Sequence, residues 1–474
     1  MPVTATRARA WAARIPSVAV LSALAIDVAG GRWGSYIGTP LSMLHLADLL
    51  WGVGALAAVV RYRRWALPRP AVVAAVVAAA YLLVRFVATL SETSPGTSSG
   101  TDAFLLVRDL TPFAYLALVP LAALALVDVG PRALLWLLRI CPLVMAAGFA
   151  LFTLGVGFSD VGRALGGPEL AAIWFPGRPV IIGVVMAVGV VAWGRFPAVP
   201  DVRPGLRALF VPQRLVQVLL VLVGAFAASQ SGQVAVVVAI GWAVLRERVA
   251  ITGPRARVAG AVALAGLAAV SLLAAGSALV LARETTVAIK SADAPPGDTD
   301  AVEPVRTTYK LPDIPVGFET IAARLSTWAS VLHAVGREAS WPVGAGLGRA
   351  DTLLGVCNVT PAEFAARPGS NKCDVDSGNT AAPLRDPHNW AMNLLLYHGL
   401  AGLVVFVAVL LAYWWRPPPD PVFSLTAGPS ALYALAASFG VVFSSPFGLL
   451  PLATFAAFAL SRRATARVGG TDNL

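Results

Sequence analysis

The sequence predicts an all-α, polytopic membrane protein: a bundle of about twelve transmembrane helices with one large extracytoplasmic loop. Three observations predict it. The 474 residues are 57% hydrophobic and 13% charged, with a mean hydropathy of +0.74. A soluble domain is about half apolar and a quarter charged, so charge this sparse cannot coat a water-facing surface, and lipid must cover most of the chain. Apolar runs of ~20 residues, the length that spans a bilayer, recur along it. The arginines fall in short clusters between those runs.

In chain order, the runs predict helices near 15–31, 41–60, 70–90, 111–128, 133–157, 178–194, 212–228, 231–247, 258–282, 390–415, 423–443 and 446–461. The N-terminus carries Arg7, Arg9 and Arg14 ahead of an apolar stretch, as a signal peptide does. No small-residue cleavage site follows, so it reads as a retained first helix. With the termini in the cytoplasm and strict alternation, the cytoplasmic segments hold Arg61, Arg63, Arg64 and Arg69; Arg132; Arg195, Arg203 and Arg207; Arg246, Arg248, Arg255 and Arg257; Arg416; and Arg462, Arg463 and Arg467. Every basic cluster then falls inside, as the positive-inside bias requires, and moving one helix would send several outside. The net charge of +11 is therefore a topology signal, and no nucleic-acid partner is expected.

Three regions result: residues 1–282 with nine helices, the extracytoplasmic loop 283–389, and residues 390–474 with three helices and a cytoplasmic tail. The loop opens with SADAPPGDTDAVEP, an acidic, Pro-rich linker. In FETIAARLSTWASVLHAVGREASW the residues Ile321, Leu325, Trp328 and Leu332 share one face of an amphipathic helix. WPVGAGLGRAD follows as a Gly-rich turn. Cys357 and Cys373 both fall in the loop, on the oxidising side where a disulfide is able to form. Cys141 lies inside a predicted helix, as a small buried hydrophobe.

Candidate site residues cluster on the outer side. In DPHNWAMNLLLYHGLAGLVVF, 386–406, His388 and Asn389 stand where the loop re-enters the membrane, with Asn393 a helical turn later. His388 suits proton transfer at neutral pH. The plainer reading is that the pair only caps the helix, with Asn389 as N-cap. Arg163 and Arg178 bracket the outer segment GRALGGPELAAIWFPGRPVIIG. Guanidinium binds phosphate in bidentate fashion, while the plainer reading is snorkelling to headgroups. Arg324, on the amphipathic helix, faces either phosphate or solvent. SQSG, 229–232, is a small polar break between two apolar segments. Asp27, His45, Asp48, Arg85 and Asp128 lie in or near predicted spans, where ionisable residues call for a functional reason. No Walker A loop, HExxH helix or CxxC pair is present, so neither an ATP-driven pump nor a zinc site is indicated. No inverted halves are evident, which weakens the alternative of a transporter or lipid-glycan flippase.

The arrangement resembles the O-antigen ligase and O-antigen polymerase superfamily of bacterial cell-surface polysaccharide assembly. PHNWAMNLLLYHGLAGLVVF is similar to the family's re-entry motif. ARLSTWASVLHAVGREASWPVGAGLG is similar to its outer helix, with Arg-x-x-x-Trp and a Gly-x-Gly-x-Gly turn. SQSGQVAVVVAI occupies the place of its small-polar element. There the family often has Ser-Arg-Gly, whereas this chain reads Ser231-Gly232-Gln233; a Glu is common where this chain has His398. The resemblance implies a GT-C-like membrane glycosyltransferase in the cell envelope. Its donor would be a glycan on a polyprenyl diphosphate such as undecaprenyl diphosphate, its acceptor a glycan or lipid. It implies no cofactor or metal. His388 and Asn389 would carry the catalytic role, and Arg163 or Arg178, with Arg324, would bind the diphosphate.

Overall fold

The computed structural model describes residues 14–35, 46–61, 67–92, 103–153, 179–194, 210–227, 230–248, 283–290, 302–310, 389–414, 422–438 and 446–468, and scattered positions between 328 and 347. Among them are eleven helices: α1 (Ile15–Ser35), α2 (Leu46–Arg61), α3 (Arg69–Glu92), α4 (Ala103–Ala125), α5 (Pro131–Thr153), α6 (Pro179–Ala192), α7 (Phe210–Ala227), α8 (Gln230–Arg248), α9 (Trp390–Trp414), α10 (Val422–Ala437) and α11 (Pro446–Val468). Eleven of the twelve predicted helices are thus seen, and the segment 258–282 lies outside the described residues. Helix α4 starts at Ala103, well before the predicted 111, because Phe104, Leu105, Leu106 and Val107 extend its apolar run across Arg108 and Asp109.

The bundle is all-helical, as predicted, and the large loop adds one element to it. Strands β1 (Arg283–Lys290) and β2 (Val302–Lys310) form an antiparallel hairpin at the start of that loop. Thr285 pairs with Thr308 and Thr286 with Thr307, and the register shifts between Val287 and Ala288, which opposes Pro304. The runs RETTVAIK and VRTTYK are rich in β-branched residues, which favour pleated backbone. Part of the segment predicted as linker, Val302 and Glu303, therefore belongs to a strand.

Among the described residues, three helices are long and apolar enough to cross a membrane: Arg69–Ser91, Pro131–Leu151 and Trp390–Trp414. Helix α3 is built inside-out. Val73, Val76, Leu83, Val84, Val87 and Leu90 are exposed, whereas Ala71, Ala74, Ala78, Arg85 and Thr89 form the buried stripe. A helix that turns its apolar side outward and its polar side inward is solvated by lipid and keeps its polar groups for the interior.

The chain forms two compact units. The first comprises Met1–Ala80, Pro112–Ala265 and Phe406–Leu474; the second comprises Tyr81–Thr111 and Gly266–Val405. In the first unit α1 and α2 pack so closely that a Cβ on Gly54 would meet the Pro16 carbonyl oxygen at 2.8 Å and Val20 Cγ2 at 2.9 Å. Small residues at such crossings let membrane helices gain dispersion contact where lipid offers no hydrophobic driving force. Polar side chains of this unit close onto neighbouring backbone. Arg462 donates to the carbonyls of Leu126, Val127 and Val129 at the end of α4, covering acceptors that a helix terminus leaves open. Gln217 donates to the Val190 carbonyl (3.0 Å) and Arg139 to the Ala192 carbonyl (2.8 Å). Trp51 donates from Nε1 to Thr454 Oγ1 at 2.9 Å, and Tyr115 donates to Asp48.

Candidate functional site

The second unit is organised around a break in α9. Gly399 has φ 66° and ψ −168°, which divides the helix into two segments. The break removes helical partners from backbone groups in a region with no water to replace them, and each such group costs several kcal/mol, on the order of 2–7, if left bare. Partners come from both sides. The amides of Leu400 and Ala401 donate to the carbonyls of Trp341 (2.7 Å) and Pro342 (3.0 Å). The carbonyl of Tyr397 accepts from Arg85 Nη2 (3.1 Å), and that of His398 from the Tyr81 hydroxyl (3.2 Å). The turn of the large loop thus supplies acceptors on one side, and the inward stripe of α3 supplies donors on the other.

The contact is backbone against backbone. Gly344 also has positive φ (78°), and a Cβ on it would stand 2.6 Å from the amides of His398 and Gly399. A Cβ on Gly399 would stand 2.6 Å from the Pro342 carbonyl carbon. Only glycine accepts both the left-handed conformation and this approach. The two motifs read separately in the sequence, WPVGAGLG and HNWAMNLLLYHGLAG, therefore meet at a pair of glycines.

His398 is 1% exposed. Its Nε2 lies 2.8 Å from the Asp109 carbonyl and its Nδ1 3.4 Å from the Tyr81 hydroxyl. An Nε2–H donor to that carbonyl leaves Nδ1 to accept. Asp109 contributes through its backbone, which gives the early start of α4 a structural use. Arg85 is 9% exposed; its Nε is buried without a hydrogen-bond partner among the described residues. On α9, Asn393 Oδ1 is also buried without one, a turn before Tyr397.

Of the predicted site residues, Asn389 is described. It is 1% exposed, and its Oδ1 accepts from the amides of Ala391 (2.9 Å) and Met392 (3.1 Å). This is an N-cap, the plainer of the two readings the sequence allowed, and it fixes the chain immediately after His388. His388, Arg163, Arg178 and Arg324 lie outside the described residues, as do Cys357 and Cys373. On the amphipathic segment Trp328 and Leu332, two of the four residues expected to share a face, are buried together with Val331 and Val335, and Ile321 and Leu325 lie outside the described residues. Gln233 donates to the Ala225 carbonyl at 2.8 Å, so at the small-polar element it ties α8 back to α7. Cys141 is buried with a free thiol. No group of three or more His, Cys, Asp or Glu suited to a metal occurs among the described residues.

From sequence, Arg85 stands out only as an intramembrane charge and His398 only as a departure from a motif. The signal that could have found Arg85 is the spacing 71, 74, 78, 85, 89 along α3, which sets Arg85 and Thr89 on the same stripe as three alanines.

A broken helix held by a glycine turn and by the inward face of an apolar neighbour is the arrangement of a membrane protein that brings a few polar groups into an apolar interior. A family model described as O-antigen ligase matches residues 215–407, which includes the large loop, its Gly-rich turn and both segments around the break. Over those residues, less than half of the chain, the protein is similar to the O-antigen ligase family, which supports a membrane enzyme of the glycosyltransferase or ligase type. No curated protein and no solved structure matches the chain.

Proposed function

We propose that the protein transfers a glycan from a polyprenyl-diphosphate carrier, such as undecaprenyl diphosphate, to a glycan or lipid acceptor on the outer face of the cell membrane, as a polysaccharide ligase or polymerase with a GT-C-like bundle. The observation that carries this reading is the junction of the two family motifs at Gly344 and Gly399, inside the family match. The topology is multi-pass, with cytoplasmic termini and loop 283–389 extracytoplasmic. In its support, Arg462 bonds the backbone at 126–129, and the charge rule assigns both segments to the same side.

Transfer from a lipid diphosphate has two requirements. Negative charge developing on the leaving diphosphate must be stabilised, and the acceptor hydroxyl must be oriented and deprotonated. Arginines suit the first, because they stay charged and bind phosphate oxygens; Arg163 or Arg178, with Arg324, fill that role. His388 suits the second as general base, contributing roughly 10²–10⁴-fold. Asn389 acts by position: its oxygen is committed to the cap, so it aims the backbone that carries His388. The prenyl tail stays in lipid while the sugars stand outside.

The test is His388→Ala in the native host, with surface glycans resolved on a gel and prenyl-linked intermediates probed. Transfer falls by roughly 10²–10⁴-fold, the contribution of one general base, and prenyl-diphosphate glycan accumulates. Shortened chains identify a polymerase; normal chains left unattached identify a ligase. Unchanged glycans at a normal level of the mutant protein refute the role of His388.

A further inference from the structure

We infer that Arg85 is an anion-binding residue of the donor site, taking a phosphate oxygen of the lipid diphosphate at the break in α9. The inference rests on the donor reading above and adds to it a residue from a helix that lies outside the family match.

Arg85 is a guanidinium in a lipid-exposed helix, 9% exposed itself, among the Val, Leu and Phe side chains that α3 turns outward. A buried charge is retained only where it is paired. Among the described residues Arg85 has no carboxylate partner. Its one side-chain hydrogen bond runs from Nη2 to the Tyr397 carbonyl, and Nε has none. A carbonyl offers partial negative charge and does not neutralise a cation. The neighbouring hydroxyls do not supply the charge either. The Tyr81 hydroxyl donates to the His398 carbonyl, and the Thr89 hydroxyl to the Arg85 carbonyl. His398 is a neutral acceptor or a second cation. The guanidinium therefore keeps one N–H without a partner among the described residues, in a setting held by the helix break.

The anion that fits is a phosphate. Arginine presents its N–H groups in a planar fork that matches phosphate oxygens, and Nε with one Nη forms one edge of that fork. Nη2 is anchored on the Tyr397 carbonyl, so the guanidinium is held in one orientation before the ligand arrives, and little further entropy is lost on binding. Under the proposed topology Arg85 lies on the outer side of α3, about two turns from its end at Glu92.

The experiment uses the full-length protein in nanodiscs, with undecaprenyl diphosphate as the probe and undecaprenol as the uncharged control. Affinities are measured for the wild type, Arg85→Gln and Arg85→Lys, with thermal melting followed in parallel. Gln keeps an N–H for the Tyr397 carbonyl and loses the charge; Lys keeps the charge. The diphosphate affinity falls at least tenfold in Arg85→Gln and by less in Arg85→Lys, which keeps the charge but loses the fork, while undecaprenol binds all three alike. If Arg85→Gln binds the diphosphate as the wild type does, Arg85 is a brace for the helix break alone and the inference is overturned. A lowered melting temperature with unchanged affinity overturns it equally and assigns the counter-charge to the chain's own carboxylates. If the wild type binds the diphosphate no better than undecaprenol, the donor reading falls, and the inference with it.

Discussion

The two units treat polar groups in opposite ways. In the first, helices run unbroken through their crossings, and polar side chains close onto nearby backbone or onto one another: Arg462 on the end of α4, Gln217 on α6, Trp51 on Thr454. In the second, the backbone itself is broken, and its freed amides and carbonyls are completed by segments remote in sequence, residues 341–342 and 81–85. A membrane bundle that needs only stability has no reason to interrupt a helix. The interruption makes the second unit depend on one arrangement of three segments, and that dependence suits a site that must hold its geometry.

The largest effect expected from breaking this contrast is Gly399→Val. The left-handed φ costs a Cβ-bearing residue about 1–2 kcal/mol, and the clash with the backbone at 342–344 adds to it because neither chain is free to yield. Loss of glycan transfer is expected, together with faster limited proteolysis of the large loop in the purified protein. Gly54→Ala tests the same idea in the first unit. There the backbone is helical, and part of the obstruction is the Val20 side chain, which is able to turn. Overpacking of this kind costs about 1–3 kcal/mol, so a lower melting temperature is expected with transfer retained. Asn389→Ala removes the cap from the first segment of α9 and costs about 0.5–2 kcal/mol. If Asn389 works through the position of His388, the turnover rate falls and Asn389→Ser or Asn389→Asp, which also cap, restores most of it.

The smallest effect is expected at Asp27. It is 1% exposed, and neither carboxylate oxygen has a hydrogen-bond partner among the described residues. Replacing an unsatisfied buried polar group by an apolar one of similar size is neutral or stabilising. Asp27→Leu is therefore expected to match or exceed the wild-type melting temperature and to transfer glycan normally. A loss of transfer in that variant would erase the distinction between the units and give the first a chemical role of its own.

Much of the fold is legible in the sequence because bilayer thickness is a strict ruler. Runs of ~20 apolar residues mark helices whatever they pack against, and the observed ends of α1, α3, α7, α8 and α9 lie close to the predicted ones. What is not legible is where such a run breaks. LLLYHGLAGLVV reads as one continuous span, and a glycine in a transmembrane helix is ordinary. The break at Gly399 becomes visible only beside Gly344, more than fifty residues earlier, and pairing across that separation leaves no periodicity. The hairpin escapes for a related reason: its strands flank a Pro-rich acidic connection that masks their β-branched character. For the site, the motif around Asn389 is legible as a helix start, and its cap is seen. Arg85 is not, since a lone arginine in an apolar run gives no sign of which way it faces.

The stitched break also sets an order of assembly. Ribosomes make the chain from its N-terminus, so Tyr81, Arg85 and the 341–342 turn exist well before residues 397–401 emerge. Until α9 is made, those donors and acceptors lack the partners that residues 397–401 give them. Most of the synthesis therefore yields a half-finished lock, and the last three helices close it. Chains that stop short of α9 carry a buried cation and bare carbonyls, the features by which membrane quality control recognises an unfinished protein.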